Sequence, residues 1–397
     1  MDDFAKGYRT NLSFLGTETD DNIQECATLS RLIYGLSSAY LLTGTERYFL
    51  AAKAGVAFLS QTFRNLSHDG QYCFWSFAMR DRKQGPDLIV PSQNGDDYNT
   101  FALYEQIYAL AGLTQYYRIT NDPNVLHDIR RTMSTFNDFY RDNVDAVKKG
   151  FPGQEGYFSH IDYTILRPDV DVLGNDKNKL RKNWNSIGDH IPAYLVNLIL
   201  AIDPLPQGCQ DEHDGYVKLR QACRQMLDET SQLIVEKFPD QNQNIPYVNE
   251  RFHADWTPDH EWGWQQNRAI CGHNLKIAWN LTRVANYYDE LSATYHLEGD
   301  DVQARNYEER SHQCRELAVR LGHTMAEVGL DQVRGGVFDC VEREPKNGMF
   351  IDFAWGNTKD FWQQEQGILA YLILHGTTEG DEHEKFLRYA REISAFW

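Results

Sequence analysis

The chain alternates apolar helices with charged helices five times along its 397 residues. Each apolar segment follows a cluster of polar or turn-forming residues, and consecutive apolar segments start roughly 75–90 residues apart, about twice the spacing of an ordinary two-helix repeat. Helices that are apolar on all sides belong in an interior, whereas helices with one apolar stripe belong outside. The pattern therefore predicts an all-α fold, an α/α toroid with the apolar helices inside, as a single domain over residues 1–397.

The five apolar segments are the predicted inner helices. The polar residues at their N-terminal ends would gather at one mouth of the ring, where unpaired backbone N–H groups favour an oxygen-rich ligand. Short segments around residues 71–78, 156–162 and 335–341 are rich in aromatic and β-branched residues and are predicted as β-hairpin arms. The inner segments are, in order, residues 20–42, FALYEQIYALAGLTQYYRIT, IPAYLVNLILAI, NRAICGHNLKIAWNLTR and QQEQGILAYLILHG.

The amino-acid composition disfavours some classes of binding partner. The formal net charge is −18, from 57 acidic and 39 basic residues, which disfavours nucleic-acid backbones and membrane surfaces as partners. Hydrophobic residues make up 42% of the chain, enough for a large core. The seven cysteines include no CxxC pair, and the sequence shows no apolar leader or spanning run. We therefore expect reduced thiols and a cytoplasmic location.

The fourth apolar segment, residues 267–283, carries a polar stripe. A helix turns about 100° per residue, so Lys276 lies roughly 60° and Asn280 roughly 20° from His273 around the axis. An imidazole exchanges protons readily at neutral pH, although a lone His can also serve only as a cap or as packing. The stripe predicts His273 as a proton-transfer residue assisted by Lys276, with Trp279 beside them.

The other apolar helices also bring polar or aromatic side chains to the predicted mouth. Arg31 lies among apolar residues of the first helix and is predicted either to bind a ligand or to form a buried ion pair with Glu105. His190, with Tyr194 one turn further on, is predicted either as a second acid/base or as a structural residue. A Trp beside paired amides suits a sugar, which has apolar ring faces and hydroxyl edges. The predicted binding residues are Arg31, Tyr98, Glu105, Asn185, Trp279, Trp362 and Gln364, with Lys359 and Gln366 close by in sequence.

Other site chemistries find less support. Three histidines and two aspartates between residues 160 and 260 match no metal-ligand spacing, so no metal is predicted; they are His160, His253, His260, Asp255 and Asp259. The chain has no phosphate-binding loop, dinucleotide fingerprint or GxSxG motif, and no cofactor is predicted. A glycoside hydrolase or lyase would need two carboxylates at the mouth, for which the candidates are Glu105 with Glu261, Asp96 or Asp97.

Several segments resemble the N-acylglucosamine 2-epimerase family, which includes cellobiose 2-epimerases and mannose isomerases. GHNLKIAW at residues 272–279 resembles the family's GHxxExxW segment. TLSRLIYGLSSAYLLTG resembles its arginine helix, and DDYNTFALYEQIYALAGLTQYYRIT resembles the next inner helix. NWNSIGDHIPAYLVN is similar to its Asn-x-x-x-His-x-x-x-Ala segment with a gap one residue longer, and NTKDFWQQEQGILAY to its Lys-x-Trp-Trp-x-Gln-x-Glu segment. The resemblance covers about residues 22–397.

The resemblance implies an (α/α)6 barrel and proton transfer at carbon 2 of an opened aldose without a cofactor. In the family's pattern, His273 matches a catalytic base, and Arg31 binds the substrate oxygens and the enediolate. His190 and Asn185 match residues that hold the opened sugar.

The sequence departs from the family's pattern in three respects. The Glu three residues after the catalytic His is Lys276 here, and the last Glu of the tryptophan segment is Gln366. The family's second catalytic His lies on a further inner helix, whereas here an outer helix follows the tryptophan segment up to Trp397. We therefore expect an open ring, a ring closed differently, or a chain that is part of something longer.

Two functions follow from these observations. The first is a sugar 2-epimerase or aldose–ketose isomerase that works through an enediolate, with His273, His190 and Lys276 as catalytic residues. The alternative is a non-catalytic carbohydrate-binding or interaction module that has kept the fold and lost the proton chemistry. Either function predicts a small carbohydrate as the partner, and we also consider a homodimer.

Overall fold

The computed structural model describes residues 8–19, 21–81, 85–174, 177–204, 213–262, 268–344 and 357–397. Internal contacts group the chain into two compact units. The first unit comprises Met1–Thr230 and His253–Thr257, and the second comprises Ser231–Phe252 and Pro258–Trp397. The single domain expected from the sequence stays a prediction.

Most of the described chain is helical, as the repeating pattern predicts. In the first unit, π-helical turns at Phe136–Tyr140 and Ile191–Leu195 extend the α-helical segments. The helices are α1 (Cys26–Thr43), α2 (Glu46–Thr62), α3 (Leu103–Thr120), α4 (Pro123–Thr135), α5 (Trp184–Ile187), α6 (Val196–Ile202), α7 (His213–Lys237), α8 (Cys271–Glu298), α9 (Asp301–Val328), α10 (Phe361–His375) and α11 (Gly380–Phe396).

The strands are short, as expected for hairpin arms. They are β1 (Ile23–Glu25), β2 (Arg64–Leu66), β3 (Cys73–Trp75), β4 (Ala78–Arg80), β5 (Asp87–Ile89), β6 (Phe101–Ala102), β7 (His160–Ile161), β8 (Arg181–Asn183), β9 (Arg251–His253), β10 (Arg268–Ile270) and β11 (Cys340–Glu342). In the first unit β1, β4 and β5 form one antiparallel sheet in that order, and β2 pairs with β3 and β6 with β7. In the second unit β10 pairs with β11.

The first inner helix begins later than the sequence suggested. We predicted a helix from Asp20, a residue outside the described ranges, but Ile23–Glu25 form the strand β1 and α1 begins at Cys26. The physical reason is tertiary, because the backbone of β1 pairs with β4, whose residues follow about fifty positions later. That partner is invisible to a local helical pattern.

The helix α3 is buried on nearly every face, as an inner helix should be. The neighbouring α1 approaches it closely through Ser30, whose hydroxyl donates to the carbonyl of Ala109 at 3.0 Å and accepts from the N–H of Gly112 at 2.9 Å. A Cβ at position 112 would lie 2.5 Å from the Ser30 carbonyl oxygen. Glycine at this position therefore allows the two helices to touch.

Inner-helix glutamines fasten the β-arms in both units. On α3, Gln106 accepts from the N–H of Trp75 and donates to its carbonyl, each at 2.8 Å. On α10, Gln364 accepts from the N–H of Val337 at 2.6 Å and donates to its carbonyl at 2.8 Å. Each amide acts as a strand neighbour for one arm residue, which satisfies two buried backbone groups.

Among the described residues, no helix is long and apolar enough to cross a membrane. The same residues contain no group of three or more His, Cys, Asp and Glu side chains placed to hold a metal ion.

Candidate active site

His273 is held in the first turn of α8, which begins at Cys271. The N–H of Gly272 donates to Oε1 of Gln363 at 2.7 Å. A Cβ at position 272 would lie 2.7 Å from the Trp362 ring, so glycine allows that ring to approach. The Trp362 ring then lies 5.4 Å from the His273 ring, centroid to centroid. The planes of the indole and the imidazole are inclined at 47° to each other.

The His273 imidazole is hydrogen-bonded to a buried carboxylate. Its Nδ1 lies 2.6 Å from Oε2 of Glu250, and the exposed side-chain fractions are 15% for His273 and 5% for Glu250. An ionised carboxylate only accepts hydrogen bonds, so Nδ1 is assigned the proton. Nε2 makes no hydrogen bond with any described residue, and it is not buried, so solvent or a ligand can reach it. In the neutral ring it offers a lone pair to a ligand.

The rest of the His273 stripe becomes more buried along α8. Lys276 is half-buried. Trp279 is 7% exposed, and its indole N–H donates to Oε1 of Gln366 at 2.8 Å. Asn280 is fully buried, and neither polar atom of its amide has a partner within the described ranges. The stripe therefore presents His273 and Lys276 more openly than Trp279 or Asn280.

The last predicted site segment mainly binds the protein's own backbone. Gln364 is 1% exposed and its amide fastens Val337, so this conformation leaves it no polar contact for a ligand. Lys359 donates to Asp331 at 2.7 Å and to the carbonyl of Gly335 at 2.6 Å. Trp362 is thus the residue of this segment that combines partial exposure with a place beside His273.

In the first unit, Arg31 contacts aromatic residues of α3 and makes no ion pair with Glu105. Its Nη2 donates to the Tyr104 hydroxyl at 2.6 Å, and its guanidinium lies 4.0 Å from the centroid of the Tyr108 ring. The Tyr108 hydroxyl in turn donates to the buried Asp189 at 3.3 Å. The protein atoms around Arg31 lower its pKa, and the phenols of Tyr104 and Tyr108 raise it more, so the net pKa is above the ordinary value. Arg31 is a permanent, solvent-exposed cation in this unit.

Glu105 is enclosed by the loop that precedes α3. Its Oε1 accepts from the Ser92 hydroxyl at 2.7 Å and from the Asn94 amide at 3.1 Å. Burial raises the pKa of Glu105 to about 8, and the nearby Asp97 carboxylate adds to the rise. The ion pair with Arg31 that we considered is therefore wrong, and Glu105 is a carboxyl group kept largely neutral near pH 7. Tyr98, by contrast, is 54% exposed.

His190 lies inside aromatic packing. It is fully buried, and its ring centroid is 4.8 Å from that of Tyr157 and 5.5 Å from that of Phe136. Its Nδ1 lies 3.0 Å from the Tyr194 hydroxyl, which confirms the predicted one-turn pairing. Burial lowers the pKa of His190 to about 3, so the ring is neutral. Asn185 lies in α5 and is half-buried.

Each unit holds one set of contacts around predicted residues, His273 and Trp362 in the second unit and Arg31 in the first. In the second unit the set is His273, Glu250, Trp362 and Gln363, and in the first unit it is Arg31, Tyr104, Tyr108 and Asp189. Sequence reasoning missed Glu250, Tyr104 and Tyr108. The two tyrosines lie one helical turn apart in the second predicted inner helix, so their spacing was a usable signal. Glu250 lies in a segment without helical or strand periodicity, which gave none.

Comparison with known proteins identifies the fold. No protein-family model matches the chain, and no curated protein matches it by sequence. Among solved structures, cellobiose 2-epimerase from Bacillus thermoamylovorans B4167 matches over 98% of this chain and 80% of its own, with a TM-score of 0.66 and 15% identity. A sugar epimerase from a ruminal bacterium matches over 98% and 79%, with a TM-score of 0.65 and 16% identity. A D-mannose isomerase matches over 96% and 76%, with a TM-score of 0.57 and 17% identity.

These matches confirm the predicted fold class. The chain is an all-α protein of the (α/α)6-barrel type with short β-arms, and its fold is that of sugar epimerases and isomerases.

Proposed function

We propose that this chain is a sugar 2-epimerase or aldose–ketose isomerase that moves a proton at carbon 2 of an opened sugar without a cofactor. The observation that carries the proposal is His273, whose Nδ1 is held by Glu250 while Nε2 stays open at the first turn of an inner helix. The likeness of the fold to cellobiose 2-epimerase and D-mannose isomerase supports the same class of reaction.

The chemistry needs a base and a cation. Opening the sugar ring exposes a carbonyl, which makes the C2–H bond acidic, and loss of that proton leaves an enediolate. We assign the base to Nε2 of His273 and the stabilisation of the enediolate oxygens to Lys276, one helical turn further along α8. Trp362 offers an apolar face for the sugar ring beside the base. Four residues of the first unit stay predicted sugar-binding residues, namely Arg31, Tyr98, Glu105 and Asn185.

Three predicted site residues fit this mechanism less directly. His190 exposes no atom, so we assign it to packing and to holding Tyr194 rather than to proton transfer. Gln364 fastens the arm at Val337, and Trp279 is paired through its indole with Gln366. For these three residues a supporting role accounts for their contacts.

Isotope exchange tests the proposal. The purified protein is incubated in D2O with mannose, N-acetylmannosamine or cellobiose, and deuterium at carbon 2 or in the ketose is followed by NMR. We expect exchange with at least one sugar, and a loss of about 10²–10⁴-fold in its rate for His273→Gln. His312→Gln removes an exposed imidazole from α9 in the same unit and should keep the wild-type rate.

The same experiment separates the enzyme from the binding module. A module would bind a sugar saturably without exchange, and His273→Gln would leave its affinity nearly unchanged. Absence of exchange with every sugar tested, in a protein that binds one of them, would overturn the enzymatic proposal.

A further inference from the structure

Glu250 is a buried acid that contacts the imidazole of His273. It is 6% exposed, its Oε2 lies 2.6 Å from Nδ1 of His273, and its Oε1 is enclosed without a partner among the described residues. A buried carboxylate with one unpaired oxygen is costly unless a positive charge or a donor compensates it. The group that compensates it is the Nδ1–H of His273.

The arginines adjacent to this segment have other contacts. The guanidinium of Arg251 lies 4.6 Å from the centroid of the Trp262 ring, and Arg343 pairs with Asp240 at 2.5 Å. Arg268 lies 3.5 Å from Glu342.

We propose that Glu250 is a positioning residue for His273. It would hold the imidazole as the Nδ1–H tautomer, so that Nε2 carries the lone pair, and would balance the charge of the imidazolium that forms during catalysis. The inference rests on the proposed function for its catalytic part, but the tautomer is a property of the protein alone. Because Glu250 is almost wholly enclosed, it acts through His273 and does not touch the sugar.

The proton transfer balances without a further reactant. The C2–H bond breaks, its proton goes to Nε2 of His273, and the electron pair moves through the new C1–C2 double bond to the carbonyl oxygen, giving the enediolate. The imidazole becomes an imidazolium, and Glu250 stays ionised at 2.6 Å from its Nδ1–H. The pair thus changes from a neutral ring beside an anion to an ion pair as the charge develops.

The tautomer is tested by NMR on protein with 15N-labelled histidine, at a pH where the ring is neutral. We expect the His273 signals, identified by their loss in His273→Gln, to show a protonated Nδ1 and an unprotonated Nε2. Glu250→Ala should release the ring to the Nε2–H form that a free histidine side chain prefers, whereas Glu250→Gln keeps an acceptor oxygen and should keep the tautomer. An Nε2–H ring in the wild type overturns the inference, and this measurement needs no variant of Glu250 to fold.

Steady-state kinetics test whether the negative charge of Glu250 stabilises the imidazolium of His273. Glu250→Gln should lower kcat for exchange by about 10- to 100-fold with little change in KM, because the carboxylate acts only as the imidazolium forms. Glu342→Gln is the matched control, since Glu342 is a largely buried acid of the same unit, 13% exposed and 3.5 Å from Arg268. An unchanged kcat in folded Glu250→Gln, or an equal loss in both variants, contradicts the inference.

The two proposals fail separately. If no sugar exchanges, the proposed function is lost while the NMR signals still decide whether Glu250 sets the tautomer. If exchange occurs and the wild-type ring is the Nε2–H form, the sugar reaction stands, but both the role of Glu250 and the assignment of the base to Nε2 are overturned.

Discussion

Glu105 is a single residue that should make the stability of the folded protein depend on pH. Its carboxyl group is 6% exposed, and burial raises its pKa from 4.5 to about 8. The folded protein therefore binds a proton that the unfolded chain releases at much lower pH. The stabilisation from this proton is complete below pH 4.5 and is lost as the pH rises towards 8.

Glu105→Gln removes this dependence while keeping an acceptor for Ser92 and Asn94. The free energy of unfolding of the wild type should fall relative to the variant by about 1.4 kcal/mol per pH unit between 4.5 and about 8. Urea unfolding at pH 5, 6.5 and 8.5 measures the difference, with the exposed Glu46→Gln as the control. A difference between wild type and Glu105→Gln that does not change with pH would show that Glu105 is ionised in the folded protein.

Some site residues could be identified from their spacing in the sequence, and others could not. His273, Lys276 and Trp279 were found because helical spacing relates residues within a few turns of each other. Glu250 is 23 positions from His273, in a segment without periodicity, and only folding brings their atoms to 2.6 Å. The aromatic partners of Arg31 lie more than seventy positions away for the same reason.

At the scale of elements, the link between helix and arm recurs in the two units. Gln106 on α3 and Gln364 on α10 each pair with both backbone groups of one arm residue, and both side chains are almost fully buried. Gln364 was predicted to bind a ligand, because an amide near a Trp suits a sugar. Its contacts show how the same chemistry instead holds an arm against an inner helix.

Replacing either of these glutamines by a side chain of similar size that cannot form hydrogen bonds should lower the stability of the protein. Gln106→Met or Gln364→Met leaves an N–H and a carbonyl of the arm without their partner, for an expected loss of about 2–4 kcal/mol in the free energy of unfolding. The control is Gln232→Met, since that amide pairs with Glu236 at an exposed site and should change stability by less than about 0.5 kcal/mol. Urea denaturation measures all three variants. If Gln106→Met and Gln364→Met lose no more stability than the control, water replaces the amide as the partner of the arm.

At the scale of the whole molecule, the cysteines that the structure describes are buried in both units. Six of the seven thiols lie in the described ranges, and each is buried in its unit. Burial raises the pKa of Cys73 to about 12, and likewise that of Cys340. Because the thiolate is the reactive form, both burial and the raised pKa protect these groups.

Alkylation with iodoacetamide at pH 8, mapped by mass spectrometry, tests this protection. In the native protein we expect little labelling of the six buried thiols, and in 6 M guanidinium (about the concentration that unfolds most domains) complete labelling. The residues to follow are Cys26, Cys73, Cys223, Cys271, Cys314 and Cys340. Rapid native labelling of any one of them would mean that its part of the core opens easily.

Sequence alone determined the helical repeat, the apolar inner helices, the short arms and the placing of His273 at the start of an inner helix. These features follow from local periodicity and from the chemistry of helix ends, which act over a few residues. Tertiary structure decided which acid holds His273, which amides bind backbone instead of ligand, and that His190 faces aromatic rings rather than solvent. Such choices depend on contacts between segments far apart in the chain, and a local pattern carries no information about the partner on the other side of the contact.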